Sequence, residues 1–209
     1  IHELSAGMAG NVVEAGVGTL YYWEYQAGSF EAQAVLGNYQ PVPGAVNRLM
    51  ARTPSGEASV VTEAEGSGTL ALVGDLLFFE KPVDNIGNTE ICRLSLDDMS
   101  IRNLGAGKLQ AVAGGRVICT DTYETQIDSI EPEDGTRIRI GEGFFLAVSE
   151  DLVYYQPPES NTTAASQGQV TLAVVGPDGS DPRTLCTTAP DLSDGAFPGS
   201  ACIGRVGFR

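Results

Sequence analysis

Short apolar runs separated by turn residues recur along the whole chain, and no long stretch has the 3.6-residue periodicity of a helix. The clearest case is the segment 168–189, in which two β-rich runs flank Pro177, Asp178 and Gly179. An Asp-Gly pair between two such runs is typical of a β-hairpin, because both central residues adopt positive φ at low cost. The segment is therefore predicted to form a strand, a turn and a second strand.

The same pattern occurs three more times upstream. Four aromatic or apolar runs resemble one another, at residues 20–25, 76–81, 116–121 and 152–157. A short apolar run precedes each of them. A second hairpin follows each run, with turns at residues 54–56, 97–98, 134–135 and 178–179. Each repeat is therefore predicted to contain four short antiparallel strands.

A four-stranded unit of roughly 40 residues that repeats along a chain is typical of a β-propeller blade. A lone blade cannot bury both of its faces, whereas stacked blades can. We predict an all-β propeller with four recognisable blades and a partial blade at each end. The predicted units are residues 8–66, 67–107, 108–143 and 144–189, with partial blades at 1–7 and 190–209. The two ends either share one closing blade or are the edges of a larger ring.

Two hairpins carry a family resemblance. Residues 91–98 and 176–185 resemble the hairpins of TolB-like and YWTD-like propeller repeats, the latter of the low-density-lipoprotein-receptor type. The aromatic pairs at 78–79 and 154–155 resemble the second strand of these repeats, whereas the YWTD tetrapeptide itself is absent. The resemblance implies a propeller. It also implies a protein-binding role, since such repeats are common in extracytoplasmic bacterial proteins that bind other proteins.

The composition is acidic, with 27 Asp and Glu against 12 Lys and Arg and a net charge of −15. A nucleic-acid partner requires clustered basic residues, which the sequence lacks, and an anionic membrane surface is disfavoured for the same reason. No apolar run approaches the roughly 20 residues that span a bilayer, so membrane insertion is not expected. The acidity is explained by solubility or, alternatively, by a cationic or metal partner. Because the chain begins at Ile1, it is expected to be a processed chain or a part of a longer one.

Nucleophilic and zinc chemistry lack the residues that they require. The single histidine, His2, leaves no complete Ser-His-Asp triad in the interior of the chain and no three-histidine zinc site. Cys92, Cys119 and Cys186 lie in predicted strands, where thiols pack as small apolar groups. Cys186 and Cys202 would form a disulfide bond only in an oxidising compartment.

Two carboxylates occupy equivalent positions in successive units, Glu24 and Glu80. Such a pair suits a hard cation such as calcium, or acid–base chemistry. Alternatively, each carboxylate simply ends a strand in solvent, which avoids burial of an unpaired charge. No other cofactor is indicated.

Insertions fall between the second and third strands of three units, at residues 26–46, 83–88 and 158–168. Insertions on one face of a repeat fold often mark a binding face, although surface loops also tolerate extra length. The candidate binding residues are Trp23, Tyr25, Phe30 and Tyr39. Phe30 and Tyr39 either anchor a partner or fold back to cap the core of the first blade.

The function that these patterns favour is a non-catalytic propeller domain that binds or scaffolds a protein or peptide. It is expected outside the cytoplasm, as a secreted, periplasmic or surface-attached domain. Two alternatives stay open. One is a propeller enzyme, a lyase or hydrolase, that uses carboxylates and a divalent metal at the mouth of the ring. The other is the gating propeller of a larger peptidase.

Overall fold

The computed structural model describes residues 13–14, 18–32, 39–84, 86–158 and 170–188. These residues form strands, turns and irregular segments, and no helix among them could cross a membrane. Residues 1–110 and 111–209 form two compact units, the N-terminal unit and the C-terminal unit. The partial blades predicted at 1–7 and 190–209 lie outside the described residues.

Eighteen strands are present in the described part of the chain. They are β1 (Val13–Glu14), β2 (Leu20–Glu24), β3 (Phe30–Ala32), β4 (Tyr39–Pro41), β5 (Asn47–Arg52), β6 (Ala58–Ala64), β7 (Ser67–Val73), β8 (Leu76–Pro82), β9 (Thr89–Ser95), β10 (Ile101–Ala106), β11 (Lys108–Ala113), β12 (Arg116–Thr120), β13 (Gln126–Ile130), β14 (Arg137–Glu142), β15 (Phe144–Ser149), β16 (Leu152–Gln156), β17 (Val170–Val175) and β18 (Arg183–Thr188).

Sixteen of these strands form four sheets of four strands each. Their orders are β1-β2-β5-β6, β7-β8-β9-β10, β11-β12-β13-β14 and β15-β16-β17-β18. Each sheet is an antiparallel meander that falls within one predicted unit, because the connections within a sheet, short turns or insertions, return the chain antiparallel to the preceding strand. The all-β, four-stranded repeat is therefore confirmed. The remaining two strands, β3 and β4, pair with each other inside the first insertion.

The core of the N-terminal unit is aromatic. Trp23 and Phe79 are each the fourth residue of the second strand of their sheet. Their rings meet edge to face, with centroids 5.4 Å apart and planes inclined at 79°. Leu49, Leu77 and Leu94 pack around them. The repeat thus places large side chains at equivalent points of neighbouring sheets, where they bury each other.

The C-terminal unit has a core of aliphatic side chains. Ile118 and Ile127 from the third sheet pack with Val153 and Val175 from the fourth, and all four are buried. Cys119 is also buried, as its strand position predicted. The third sheet forms although residues 124–130 keep the apolar spacing poorly, because Ile127 and Ile130 still supply buried contacts.

The last hairpin of the second, third and fourth sheets contains one recurring turn, which we call the Asp turn. It comprises residues 98–100, 134–136 and 178–180. In each case an Asp Oδ1 accepts a hydrogen bond from the backbone N–H two residues on, at 3.0, 2.7 and 3.0 Å. The middle residue has positive φ, with values of 60, 78 and 82°. Hydrogen bonds from the Ser100 side chain and backbone hold the pKa of Asp98 at about 2.

The expected hairpin forms, since β17 pairs with β18 in antiparallel register. Of the two central residues that can adopt positive φ, Gly179 does and Asp178 does not. The reason is loop length, because β17 ends at Val175 and β18 begins only at Arg183. The chain need not reverse within two residues, and the Asp178 side chain closes the turn instead.

Met99 occupies the position that Gly135 and Gly179 occupy in the other Asp turns. An L-residue with positive φ is strained. The Met99 side chain is 41% exposed, so its removal costs little packing energy. We expect Met99→Gly to raise the free energy of unfolding by about 0.5–1 kcal/mol, after the greater freedom of glycine in the unfolded chain is deducted. Urea denaturation measures the change.

Gly179→Ala is the matched control for this substitution. A Cβ at Gly179 would lie 3.8 Å from Ile140 Cγ2, an ordinary contact, so only the positive φ opposes it. The control should lower stability by about 1 kcal/mol. A loss of stability in Met99→Gly would show that the Met99 side chain contributes more than its backbone strain costs.

The insertions lie where the sequence placed them. Residues 26–46 connect β2 to β5, residues 83–88 connect β8 to β9, and the third insertion lies between β16 and β17. In the third sheet only residues 121–125 separate β12 from β13. All four connections join the second and third strands of their sheets. Since strand direction alternates, each insertion leaves its sheet at the edge where the chain passes to the next sheet.

Candidate functional site

The first insertion, residues 26–46, is a built hairpin and not a plain loop. We call it the arm. Within it, β3 pairs with β4 in antiparallel register, so that Phe30 lies opposite Pro41 and Ala32 lies opposite Tyr39. The side chains of Phe30 and Tyr39 lie outside the described residues, and their predicted contact with a partner stays a prediction.

The base of the arm is fixed by one buried side chain. Asn47, the first residue of β5, is 3% exposed. Its Oδ1 accepts hydrogen bonds from Gln26 N at 3.1 Å and from Ser29 Oγ at 2.5 Å. Its Nδ2 donates to the carbonyl oxygen of Gly66 at 2.8 Å. Asn47 therefore joins the start of the arm to the segment that leads into the second sheet.

The backbone of the arm adds further restraints. Val42 N donates to Ser29 O at 2.8 Å and Ala45 N donates to Val42 O at 3.1 Å. The hydroxyl-bearing Ser29 is itself buried. Since a buried polar group without a hydrogen bond is costly, these bonds favour one path for the chain at the root of the arm.

Trp23 and Tyr25, the two aromatic binding candidates that precede the arm, stabilise the strand from which the arm departs. Trp23 is 1% exposed and lies in the core, so its ring packs inside the protein and is not part of the surface. Tyr25 is half-buried, and its hydroxyl accepts a hydrogen bond from Gly68 N at 3.1 Å. Burial raises the pKa of Tyr25, while the bond from Gly68 acts in the opposite direction. Both residues thus hold the strand from which the arm departs.

Glu24 and Glu80 occupy equivalent strand positions but have different partners. The exposed Glu24 carboxylate lies 3.4 Å from Arg48 Nη1. The Nε atom of the same arginine lies 3.1 Å from the Glu63 carboxylate. Glu80 accepts a hydrogen bond from Leu109 N at 2.7 Å. Among the described residues, no group of three Asp, Glu, His or Cys side chains comes close enough to hold a metal ion. The structure therefore gives each carboxylate a structural partner.

A cleft opens in the N-terminal unit between β6 and the face of the second sheet, with a volume of about 400 Å³. Its floor is apolar and is formed by Ala64, Phe79 and Cys92. Val46, the last residue of the arm, lies on its rim. We call this the inter-sheet cleft. Neither the cleft nor Asn47 was found from the sequence.

The thiols of Cys92 and Cys119 are free and buried. Burial raises the pKa of Cys92 to about 11 and that of Cys119 to about 12. Because the thiolate is the reacting form, roughly one Cys92 in a thousand is reactive at pH 8, and fewer of Cys119. Cys186 and Cys202, which would form a disulfide bond only in an oxidising compartment, have side chains outside the described residues.

We therefore expect very slow labelling of Cys92 and Cys119 by iodoacetamide at pH 8 in the native protein. Labelling should become fast in denaturant, and peptide mass spectrometry identifies the modified residue. Cys186→Ser with Cys202→Ser removes the remaining thiols and isolates the two buried ones. Rapid native labelling of Cys92 would show that the floor of the cleft opens readily to solvent.

No protein-family model matches this sequence, and no curated protein matches it. Solved structures do resemble it. A nidogen in complex with laminin is 13% identical, with a TM-score of 0.45, over 88% of this chain and 81% of that chain. TolB from Acinetobacter baumannii is 17% identical, with a TM-score of 0.45, over 73% and 41% of the two chains.

The acylaminoacyl peptidase of Pyrococcus horikoshii is 10% identical, with a TM-score of 0.52, over 85% of this chain and 32% of that chain. The chain thus spans less than half the length of TolB and of the peptidase. Identities this low speak for the fold alone. The four four-stranded sheets define the class: the chain has a β-propeller fold. Its hairpins at 91–98 and 176–185 resemble those of TolB-like and YWTD-like repeats.

Proposed function

We propose that this chain is a non-catalytic propeller domain that binds a protein or peptide partner outside the cytoplasm. The observation that carries the proposal is the arm, which is anchored through the buried Asn47 side chain. A connector that only tolerates extra length does not need a buried amide with three hydrogen bonds. A fixed base reduces the ordering that binding requires, and exposed aromatic residues supply much of the energy of protein interfaces.

The cellular location is part of this proposal and has separate support. The hairpins at 91–98 and 176–185 resemble repeats that are common in extracytoplasmic bacterial proteins, and the acidic composition is compatible with that setting. Fractionation of the source cells, followed by detection of the native full-length protein, tests the location. Recovery in the cytoplasmic fraction would contradict it.

Substitution in the arm tests the binding role. Partners crosslinked to the wild-type protein are identified by mass spectrometry, purified and titrated against it. Phe30→Ala with Tyr39→Ala should weaken that affinity by about tenfold or more while the melting temperature stays almost unchanged. Tyr123→Ala is the control, because Tyr123 is 81% exposed and lies in the C-terminal unit.

The opposite outcome is equally clear. If Phe30 and Tyr39 cap the core of the first blade, the double substitution should cost about 3 kcal/mol or more of stability, as for buried aromatic side chains elsewhere. A loss of stability of this size together with an unchanged affinity for the partner would show that the arm is not the interface.

A second candidate function is the gating propeller of a larger peptidase. The observation in its favour is the likeness to the acylaminoacyl peptidase, of which this chain covers only 32%. The full-length native protein decides between the two functions. Hydrolysis of acylated peptides, stopped by a serine-directed inhibitor, would support the peptidase function. If no hydrolysis is detected, the binding function is favoured.

The proposal includes no resident metal, and the metal-dependent lyase or hydrolase has less support. Glu24 pairs with Arg48, Glu80 accepts a backbone N–H, and neither belongs to a group of three possible metal ligands among the described residues. We expect millimolar calcium, or its removal by a chelator, to shift the melting temperature by less than about 1 °C. A clear calcium-dependent rise that Glu80→Gln abolishes would restore the metal site.

A further inference from the structure

The inter-sheet cleft combines an apolar interior with a charged rim. Phe79 and Cys92 are buried in its floor, whereas Val46 on its rim and Ile101 on its wall are each 46% exposed. Its volume of about 400 Å³ falls within the range of roughly 300–1,000 Å³ that is typical of ligand sites. The cleft therefore offers apolar contact area that no described residue covers.

The rim of the cleft carries an excess of negative charge. Glu65 lies 2.8 Å from Lys81 Nζ, and Glu63 shares Arg48 with Glu24. Glu90 accepts a hydrogen bond from the neutral Asn103 amide at 2.7 Å. Among the lining residues, two carboxylates, Glu63 and Glu65, thus stand against one cation, Lys81. Arg102 lies between Ile101 and Asn103 on β10, and alternation along the strand places it on the opposite face of the sheet.

Lys81 shows which chemistry suits this rim. Its ammonium group is bound by Glu65, and this interaction raises the pKa of Lys81. The side chain is partly exposed, so the pair is open to exchange with solvent and with other cations. A basic side chain from another molecule would find a second carboxylate, Glu63, that is 58% exposed.

We propose that the inter-sheet cleft binds a lysine or arginine side chain in an extended segment of a protein partner. The aliphatic stem packs on Phe79, Val46 and Ile101, and the charged head contacts Glu63 and Glu65. Long basic side chains bury their stems on apolar surface in this way while the charge stays near water. The net charge of −15 attracts such a segment from a distance.

This inference deepens the proposed function and rests on it for the existence of a protein partner. Val46 ends the arm and lies on the rim of the cleft, so the root of the arm adjoins the cleft. The two surfaces nevertheless have different side chains and respond to different substitutions. Their failures can therefore be told apart.

The test uses fluorescence anisotropy with a labelled peptide, Gly-Ser-Leu-Arg-Leu-Gly-Ser. A peptide that carries citrulline in place of arginine has nearly the same shape without the charge. We expect the arginine peptide to bind more tightly, and its affinity to fall as salt is added. Glu65→Gln should weaken binding by about fivefold, the upper range for a partly exposed ion pair.

Two further variants act in defined directions. Lys81→Gln removes the internal competitor and should tighten binding, the reverse of the effect of Glu65→Gln. Ile101→Ser removes apolar area from the wall and should weaken binding of both peptides. The control is Glu57→Gln, which makes the same charge change just before the other end of β6 and should leave affinity unchanged.

Equal affinity for the arginine and citrulline peptides, or equal effects of Glu65→Gln and Glu57→Gln, would overturn the inference. So would the absence of any binding to the wild-type protein. If Ile101→Ser fails to fold by circular dichroism, the opposed pair Glu65→Gln and Lys81→Gln still decides. If the peptide does not bind but partner binding still depends on the arm, only the inference about the cleft is contradicted. If neither binding is observed, the proposed function is contradicted as well.

Discussion

Gly66→Ala is expected to destabilise the protein by about 3 kcal/mol or more, the upper range for overpacking a core. A Cβ at Gly66 would lie 2.3 Å from Trp23 Cη2 and 2.4 Å from Trp23 Cζ2. It would also lie 2.9 Å from Phe79 Cδ2. Both rings are buried and pack on each other, so neither can move away freely. Urea denaturation followed by circular dichroism measures the loss.

Two comparisons identify the cause. The clashing atoms belong to the six-membered ring of the Trp23 indole, and phenylalanine has no atoms that extend so far. Trp23→Phe should therefore recover part of the loss when combined with Gly66→Ala, whereas independent effects would add. Gly141→Ala is the control, because its Cβ would lie 3.3 Å from the half-buried Tyr155 ring. A similar loss in the control would point to backbone entropy and away from the Trp23 clash.

The same cluster shows what the sequence predicts well. The alternation of short apolar runs with Gly and Asp predicted the four-stranded units, because strand periodicity and turn chemistry are local properties. The equivalence of the runs at 20–25 and 76–81 also aligned Trp23 with Phe79. Strand order and repeat length thus followed from the pattern alone.

Burial at a particular position did not follow from the pattern. Trp23 was nominated as a contact residue, yet its ring is enclosed between the first two sheets. An aromatic residue in a strand has the same local pattern whether it faces a neighbouring sheet or solvent. The deciding feature is Gly66, which leaves room for the ring and lies far from Trp23 in sequence.

The candidate site was predictable only in outline. Insertion lengths located the arm, since the flanking strands have clear patterns. Asn47 gave no signal, because its three partners lie 18 to 21 residues away and a single asparagine at the start of a strand is common. The inter-sheet cleft could not be predicted from the sequence for a related reason. Glu63, Lys81 and Ile101 come from three different strands, and only the packing of the sheets brings them together.

Asn47→Ala should cost about 3 kcal/mol, since it leaves three groups without their hydrogen bonds, two of them buried and one partly buried. Ser29→Ala removes only one of these bonds and should cost about 1 kcal/mol. Asn103→Ala is the control, because this exposed amide should contribute less than either. Urea denaturation gives the three values, and their order matters more than their size.

The same substitution separates anchoring of the arm from its contact surface. Asn47→Ala leaves Phe30 and Tyr39 in place but releases the base of the arm, so hydrogen exchange should accelerate at residues 26–32 and 39–46. Exchange in β8 and β9, which have no bond to Asn47, should change much less. Partner affinity should fall although every predicted contact residue is present, because binding must then order the arm again. Unchanged exchange in the arm would show that its own hairpin bonds suffice, and that Asn47 serves the link to the second sheet through Gly66.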